Sequence, residues 1–286
     1  MMERVAILGT GLLGTSVGLA LRAAGFKGSI VGWNRSRSQA ETALSMGAID
    51  SIGHDAIETA KASQVVLLAI PIFATLDLME QLAPILGPDH LLTDVGSTKG
   101  QITEAAGRLF NTPGRAAFLP GHPMAGKERG GAEMADANLF HGAVWLFSDN
   151  PAWKRSPQSA ALASSWREWV VRMGARTNDL GPQRHDELVA WVSHLPQFTA
   201  TALSALLENE VGEAPELRDV GGRALREMTR LGASPWSMWR DIAHTNTDAI
   251  AAALEALEQR LAHIRENLRT PELRDEFEKA NRFRRE

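Results

Sequence analysis

The run Val5-Ala-Ile-Leu8, Gly9-Thr-Gly-Leu-Leu-Gly14, Thr15-Ser-Val-Gly-Leu-Ala-Leu-Arg-Ala-Ala24 decides the fold of this chain. Four apolar residues form a short buried-strand pattern. A G-x-G-x-x-G segment follows without a gap, and a small-residue helix then runs up to Gly25. Glycine at these places permits a tight turn and lets a pyrophosphate reach the backbone at the positive end of the helix. The glycine pattern alone is a weak signal. With a strand before it and a helix after it, it marks a dinucleotide-binding unit. Gly9, Gly11 and Gly14, with Leu12 and Leu13 of the first turn, are the expected cofactor contacts.

The next strand is Gly28-Ser-Ile-Val-Gly-Trp33, and Asn34-Arg-Ser-Arg-Ser38 follows it. About 20 residues after the glycine turn, an NAD-binding unit usually offers an acid to the ribose hydroxyls. Asn34 stands in that place. A carboxylate there would repel a 2′-phosphate, whereas Arg35 and Ser36 can hydrogen-bond one. The expected cofactor is therefore NADP, with NAD as the alternative in which Arg35 only stacks on adenine. Further continuous apolar runs, Gln64-Val-Val-Leu-Leu-Ala-Ile70 and His90-Leu-Leu-Thr-Asp-Val95, read as buried parallel strands separated by helices at 75–86 and 97–109. Ile70 ends one of them and joins the expected cofactor contacts, as does Ser97 beyond the other. Strands are also expected at 116–119, 141–147 and 175–178, with an amphipathic helix over 156–173.

Composition limits the function classes. The chain has 286 residues, 44% of them hydrophobic and 22% charged, which suits a globular protein of one large or two ordinary domains. A net charge of -4 gives no reason to expect a nucleic-acid or anionic-membrane partner. There is no cysteine, which excludes disulfides, thiolate metal sites and cysteine nucleophiles. No histidine pair has metal-ligand spacing, so no metal is expected. The first residues run straight into a strand, so no secretory leader is expected, and no apolar run reaches membrane-spanning length. A cytoplasmic protein is the expectation.

Nineteen of the 25 glycines fall in the first 150 residues and none follows Gly232. Glycine-rich turns between short strands suit an α/β sheet, and a glycine-poor remainder suits helices. The expected architecture is a doubly wound, mostly parallel α/β domain over residues 1–180, joined at Gly181-Pro182 to an all-α domain over 181–286. In that second part a long helix over 183–210 must kink or break at Pro196. His194 and Gln197 flank the break. Arg226 and Arg230 lie four apart on one face of the helix expected over 223–231. Ile250, Leu254, Leu257, Leu261, Ile264 and Leu268 form a heptad seam suited to packing on other helices, a twin subunit included.

Ligands in doubly wound sheets bind beyond the carboxyl ends of strands. Ser97 follows one strand. Gly121-His-Pro-Met-Ala-Gly-Lys-Glu128 follows another, so Ser97 and His122 belong on one edge of the sheet. The proline after His122 fixes its backbone, and an ordinary imidazole pKa of about 6.5 suits proton transfer near neutrality.

Several segments together resemble the prephenate/arogenate (cyclohexadienyl) dehydrogenase family of tyrosine biosynthesis. They are the Gly9–Gly14 turn, Asp94-Val-Gly-Ser-Thr-Lys99, Gly121-His-Pro-Met-Ala-Gly-Lys-Glu128, Asn138-Leu-Phe, Ser193-His-Leu-Pro196, Met228-Thr-Arg-Leu231 and Met238-Trp-Arg-Asp-Ile242. They stand in the family's order and span nearly the whole chain. The resemblance implies a Rossmann domain followed by a helical domain that makes a homodimer and contributes to the substrate site. It implies oxidative decarboxylation of prephenate to 4-hydroxyphenylpyruvate with NAD(P), or of arogenate to tyrosine. It makes His122 the catalytic base and Ser97 the hydroxyl that bonds it or the substrate. Arg230 becomes the substrate-carboxylate arginine, with Arg226 as a second basic residue. His194 and Trp239 become pocket residues. Gln197 departs from relatives that carry histidine there. A β-hydroxyacid dehydrogenase of the same plan is a more distant alternative, but those use a lysine on the helical domain, where this chain has only Lys279. A nucleotide-binding sensor would need no base, and this chain keeps Ser97, His122 and Arg230.

Overall fold

The computed structural model describes residues 2–214 and 216–285; Met1 and Glu286, the outer limits of the two expected domains, and Pro215 lie outside the described residues. Arg4–Leu8 forms β1 and Leu12–Ala23 forms α1. They are followed by β2 (Ser29–Trp33), α2 (Arg37–Ser45), β3 (Ser51–Ile52), α3 (Ala56–Lys61), β4 (Val65–Leu68), α4 (Ile72–Leu82), β5 (Leu91–Asp94), α5 (Gly100–Phe110) and β6 (Ala117–Leu119). The six strands make one parallel sheet in the order β3-β2-β1-β4-β5-β6. Val5 sits between Ile30 and Val65, and Leu8 between Trp33 and Leu68. The winding reverses between β1 and β4, and the crevice beyond their carboxyl ends is the ligand position of such sheets.

Each central strand is buried on both faces. Val5 and Ile7 enter one apolar cluster with Val17 and Leu21 of α1, while Ala6 and Leu8 enter the opposite cluster with Met79 and Leu82 of α4. That alternation places helices on both sides of the sheet, which is why these strands read as unbroken apolar runs.

The expected strands at 141–147 and 175–178 do not extend this sheet. They appear as β8 (Val144–Phe147) and β9 (Arg176–Asp179) of a second, three-stranded sheet whose first member is β7 (Gly121–Pro123). β7 is antiparallel to β8, with His122 opposite Leu146. His122 is thus a strand residue in a ladder, not a loop residue. Between β8 and β9 runs α6 (Pro157–Arg172), capped by Ser156, and its Leu162, Trp166 and Val170 pack into the α1 side of the core.

Beyond Asp179 the described residues are helical: α7 (Pro182–Val189), α8 (Leu195–Val211), α9 (Leu217–Val220), α10 (Gly222–Thr229), α11 (Trp236–Thr245), α12 (Thr247–Glu266) and α13 (Pro271–Arg285). The long helix expected over 183–210 is divided. A π-helical turn, Ala190–His194, joins α7 to α8 without a gap, and Pro196, which has no N–H to give, follows directly in the first turn of α8. Of the heptad seam, Ile250 is buried, but Leu261 is 56% and Leu268 61% exposed in the single chain.

The glycine turn is sterically closed around two of its members. Gly9 has φ of 107°, and a Cβ on Gly14 would lie 1.9 Å from the Gly9 carbonyl oxygen. Overpacking of this kind costs about 1–3 kcal/mol or more. Gly14→Ala is expected to lower the thermal midpoint by several degrees (roughly 2–4 °C per kcal/mol in a chain of this size). A midpoint identical to that of the parent protein would contradict the close approach of β1 and α1.

Candidate active site

The crevice beyond β1 and β4 has the shape of a dinucleotide seat. A Cβ on Gly11 would meet nothing within 4 Å, in contrast to its neighbours in the motif. Helix α1 begins at Leu12 with no side chain capping it. Gly11, Leu12 and Leu13 are therefore partly exposed at a positive helix end, which suits a pyrophosphate. Ile70 borders the turn, its methyl 2.7 Å from where a Gly9 Cβ would stand. At the end of β2, the Asn34 side-chain oxygen accepts the Ser36 N–H at 2.9 Å. Arg35 is exposed and makes no ion pair among the described residues, whereas Arg37 pairs with Glu41 at 2.9 Å.

The candidate base is held by an ordered chain of hydrogen bonds. His122 is 7% exposed, and its Nδ1 lies 2.9 Å from Nε2 of His185, a fully buried residue of α7. His185 Nδ1 lies 2.7 Å from Oδ1 of Asp186. The Asp186 carboxylate also accepts the backbone N–H of Lys99 at 2.7 Å and of Gly100 at 2.8 Å, at the start of α5. A carboxylate receives hydrogen bonds and gives none. It therefore sets His185 Nδ1 as a donor and, in the neutral ring, His185 Nε2 as an acceptor. His122 Nδ1 must then carry the hydrogen, which leaves the lone pair on its Nε2. Burial, and then the neighbouring His185 and Lys99, hold the His122 pKa well below its ordinary value, so the ring is neutral. Burial likewise lowers His185, opposed by the hydrogen bond that its Nδ1 gives to Asp186.

Beneath these groups lies the buried ion pair of Lys99 and Asp94. Asp94 also accepts the N–H of Gly96 at 2.8 Å and of Gly121 at 3.0 Å, which fastens the end of β5 to the start of β7. Burial lowers the Lys99 pKa against the pull of Asp94. Ser97 lies partly exposed at the same edge. Its hydroxyl makes no hydrogen bond to His122, whose Nδ1 is taken by His185.

His194 ends the π turn and is 1% exposed. Asn246 donates to its Nδ1 at 3.3 Å and to the Asp186 carbonyl at 2.9 Å. The His194 Nε2 hydrogen is then a buried donor with no partner among the described residues, as is Trp239 Nε1. The two rings meet edge to face with centroids 5.9 Å apart. Burial takes the His194 pKa down to about 4.

Arg230 opens a 3-10 turn after α10 and pairs with Glu128 of the segment following β7. The structure thus brings the Arg230 turn to the His122 segment. Arg226 is exposed, and it is Arg223, not Arg226, that pairs with Glu227. Gln197, expected among the substrate contacts, bonds its own chain. Its amide donates to the Leu231 carbonyl at 2.8 Å and to Thr201 at 3.2 Å, and accepts from Ser234 at 3.1 Å. Those bonds turn it inward, to hold the Arg230 turn against α8.

His185, Asp186, Asn246 and Glu128 carry no role in the sequence reading. His185-Asp186 reads as the polar start of an ordinary helix. Nothing local ties it to a histidine 63 positions earlier.

A seat for a dinucleotide opposite a buried, neutral histidine is the arrangement of a nicotinamide-dependent dehydrogenase, and fold and site together put the chain in that class. Residues 17–174 match the prephenate dehydrogenase nucleotide-binding domain and residues 181–282 the prephenate dehydrogenase dimerization domain. The chain belongs to the prephenate dehydrogenase family. A prephenate dehydrogenase of Lactococcus lactis subsp. cremoris is 30% identical over 92% of this chain and 70% of its own length. The structure of prephenate dehydrogenase from A. aeolicus in complex with hydroxyphenyl propionate and NAD+ superposes with a TM-score of 0.84 at 28% identity, covering 100% of this chain and 98% of the other. Synechocystis arogenate dehydrogenase gives 0.76 at 26% identity, covering 99% of each chain. No described group of histidines and acids could hold a metal ion.

The buried histidines make stability depend on pH. Between an unfolded pKa of about 6.5 and the lower folded values, the unfolded chain binds protons that the folded chain does not. Stability contributed by the neutral rings is thus complete above about pH 6.5 and is lost as pH falls toward about 4 for His194. Each ring adds up to about 1.4 kcal/mol per pH unit to that slope. Urea midpoints are expected to fall from about pH 7 to about pH 5, and a flat profile would contradict the neutral assignment.

Proposed function

We propose that this protein is a prephenate dehydrogenase, converting prephenate to 4-hydroxyphenylpyruvate by oxidative decarboxylation in tyrosine biosynthesis. The observation that carries the reading is the fixed tautomer of His122, a buried neutral imidazole whose Nε2 keeps its lone pair. A bound nicotinamide supplies the acceptor for the hydride that leaves the carbinol carbon. His122 Nε2 takes the hydroxyl proton as the carbonyl forms. The ring carboxylate then departs as CO₂ and the ring becomes aromatic, which makes the step irreversible. Ser97 hydrogen-bonds the substrate hydroxyl from the same strand edge.

Arg230 binds a substrate carboxylate in place of Glu128, a two-point contact that fixes the carbinol carbon. His194 and Trp239 offer their unpartnered N–H groups to the polar side chain of the substrate. Arg226 adds positive charge to the approach. The cofactor is NADP rather than NAD: Asn34 places no carboxylate at the end of β2, and Arg35 stands ready for a 2′-phosphate. The exposed seam residues Leu261 and Leu268 and the match to a dimerization domain support a homodimer through residues 181–286. No described helix is long and apolar enough to cross a membrane, and we place the enzyme in the cytoplasm.

A second reading, arogenate as substrate, is favoured by the likeness to Synechocystis arogenate dehydrogenase. Steady-state kinetics with prephenate and arogenate, each with NAD and NADP, separate the readings. Prephenate with NADP should give the highest kcat/KM, and inactivity in all four combinations would overturn the function. His122→Asn should lower kcat by about 10²–10⁴-fold with prephenate, and near-parental turnover would remove the base assignment. Arg230→Ala should raise KM at least tenfold, an effect that charge-assisted bidentate contacts worth about 1.5–3 kcal/mol predict; unaltered KM and kcat would exclude the carboxylate contact.

A further inference from the structure

We propose that His185 and Asp186 are positioning residues for His122: they fix its reactive tautomer and take over its Nδ1 proton as the substrate hydroxyl proton arrives at Nε2. The inference rests on His122 acting as the base. Its ground is the unbroken sequence of contacts from His122 Nδ1 to His185 Nε2 at 2.9 Å, and from His185 Nδ1 to Asp186 Oδ1 at 2.7 Å.

Three features make this more than packing. First, polarity along the chain is fixed from one end. Asp186 accepts from Lys99, Gly100 and His185 together, so His185 Nδ1 bears hydrogen, and in the neutral ring His185 Nε2 accepts from His122 Nδ1. Second, the charge needs a destination. His122 is buried among His185, His194 and the Lys99 ammonium, all of which disfavour a lasting imidazolium there. Moving the proton one ring along, from His122 Nδ1 to His185 Nε2, puts the positive charge against the Asp186 carboxylate. The balance is simple: one O–H bond of the substrate and one N–H bond of His122 break, and one N–H bond forms on His122 Nε2 and one on His185 Nε2. Third, the chain ends at water. Asp186, with Gly100, Thr103, Asn246 and Asp248, lines a cleft of about 920 Å³ between α5, the β8–α6 connection and the starts of α7 and α12.

The groups facing the pair from each packed element are Lys99 and Asp94 from the β5 end, His194 from the π turn, and Asp186 from α7. Of these, Asp186 and Asp94 favour protonated His185, and Lys99 opposes it. Removing the Asp186 charge should therefore shift the acid limb of the kcat/KM profile to lower pH.

The test is kinetics of Asp186→Asn, His185→Phe and His185→Gln in the full-length enzyme with prephenate, beside His122→Asn. Asp186→Asn and His185→Phe are expected to lower kcat about 10²–10⁴-fold, the scale of a misoriented base. KM should change less than about threefold, and in Asp186→Asn the acid limb should move down by at least about half a pH unit. His185→Gln, whose amide oxygen can accept from His122 Nδ1 but cannot carry a proton, should recover part of the loss. Retention of kcat within about twofold and an unmoved acid limb in folded Asp186→Asn and His185→Phe would overturn the proposal. Should those variants fold poorly, ¹⁵N NMR of the parent enzyme decides: hydrogen on His122 Nδ1 and none on Nε2 is expected, and the reverse tautomer would falsify it. An active His122→Asn variant would instead overturn the base assignment itself, whereas an inactive one beside fully active His185 and Asp186 variants would overturn the relay alone.

Discussion

The Asp186 carboxylate is the constraint on which the site depends. It belongs to the helical part of the chain, yet it closes the start of α5 by accepting the N–H groups of Lys99 and Gly100. Those amides are among the unpaired donors that every helix leaves at its first turn, and a negative group there is favoured by the helix dipole. The same oxygens orient His185, and through it His122. One acid therefore docks one part of the chain on the other and orients the His185–His122 pair. A substitution that loosens the docking also loosens His122.

The docking has a second member of the same kind. Asp241 of α11 accepts the Phe73 N–H at the start of α4 at 3.2 Å, and Thr98 and Thr245 join hydroxyls at 2.7 Å. The helical part thus grips the carboxyl edge of the sheet at two helix starts. That edge is where β1 and β4 open the dinucleotide crevice, and α11 also carries Trp239 against His194. A third helix start at the same edge, that of α1, has no such acid and faces open space at Gly11. Two positive helix ends are closed by the chain itself, and one is left for a phosphate.

Much of this could be read residue by residue. The β1–α1 unit was legible because its glycines act locally: each answers to a contact within the turn or with the adjoining strand end, as the Gly14 approach to Gly9 shows. The break near Pro196 was legible because proline has no N–H to give, although its form, a π turn ending at His194, was not. The second sheet was missed because three short strands separated by long connections give no periodicity of their own, and β7 contains a glycine and a proline in three residues. A glutamine beside a helix break looks the same in sequence whether it faces a ligand or its own chain; that the Gln197 amide bonds the carbonyl of Leu231 comes only from the structure.

The sequence by itself determined the parallel sheet, the glycine turn, the helical second part and the candidate set of His122, Ser97, His194 and Arg230. These follow from local pattern, or from motifs kept in one order along the chain. The tertiary structure alone decided that His122 Nδ1 lies against His185 Nε2, that Asp186 stands behind His185, and that Arg230 meets the segment after β7. The reason is physical. A tautomer is set by the partner of the other ring nitrogen, and here that partner enters from a helix 63 residues away, brought in by a carboxylate that two backbone N–H groups hold in place.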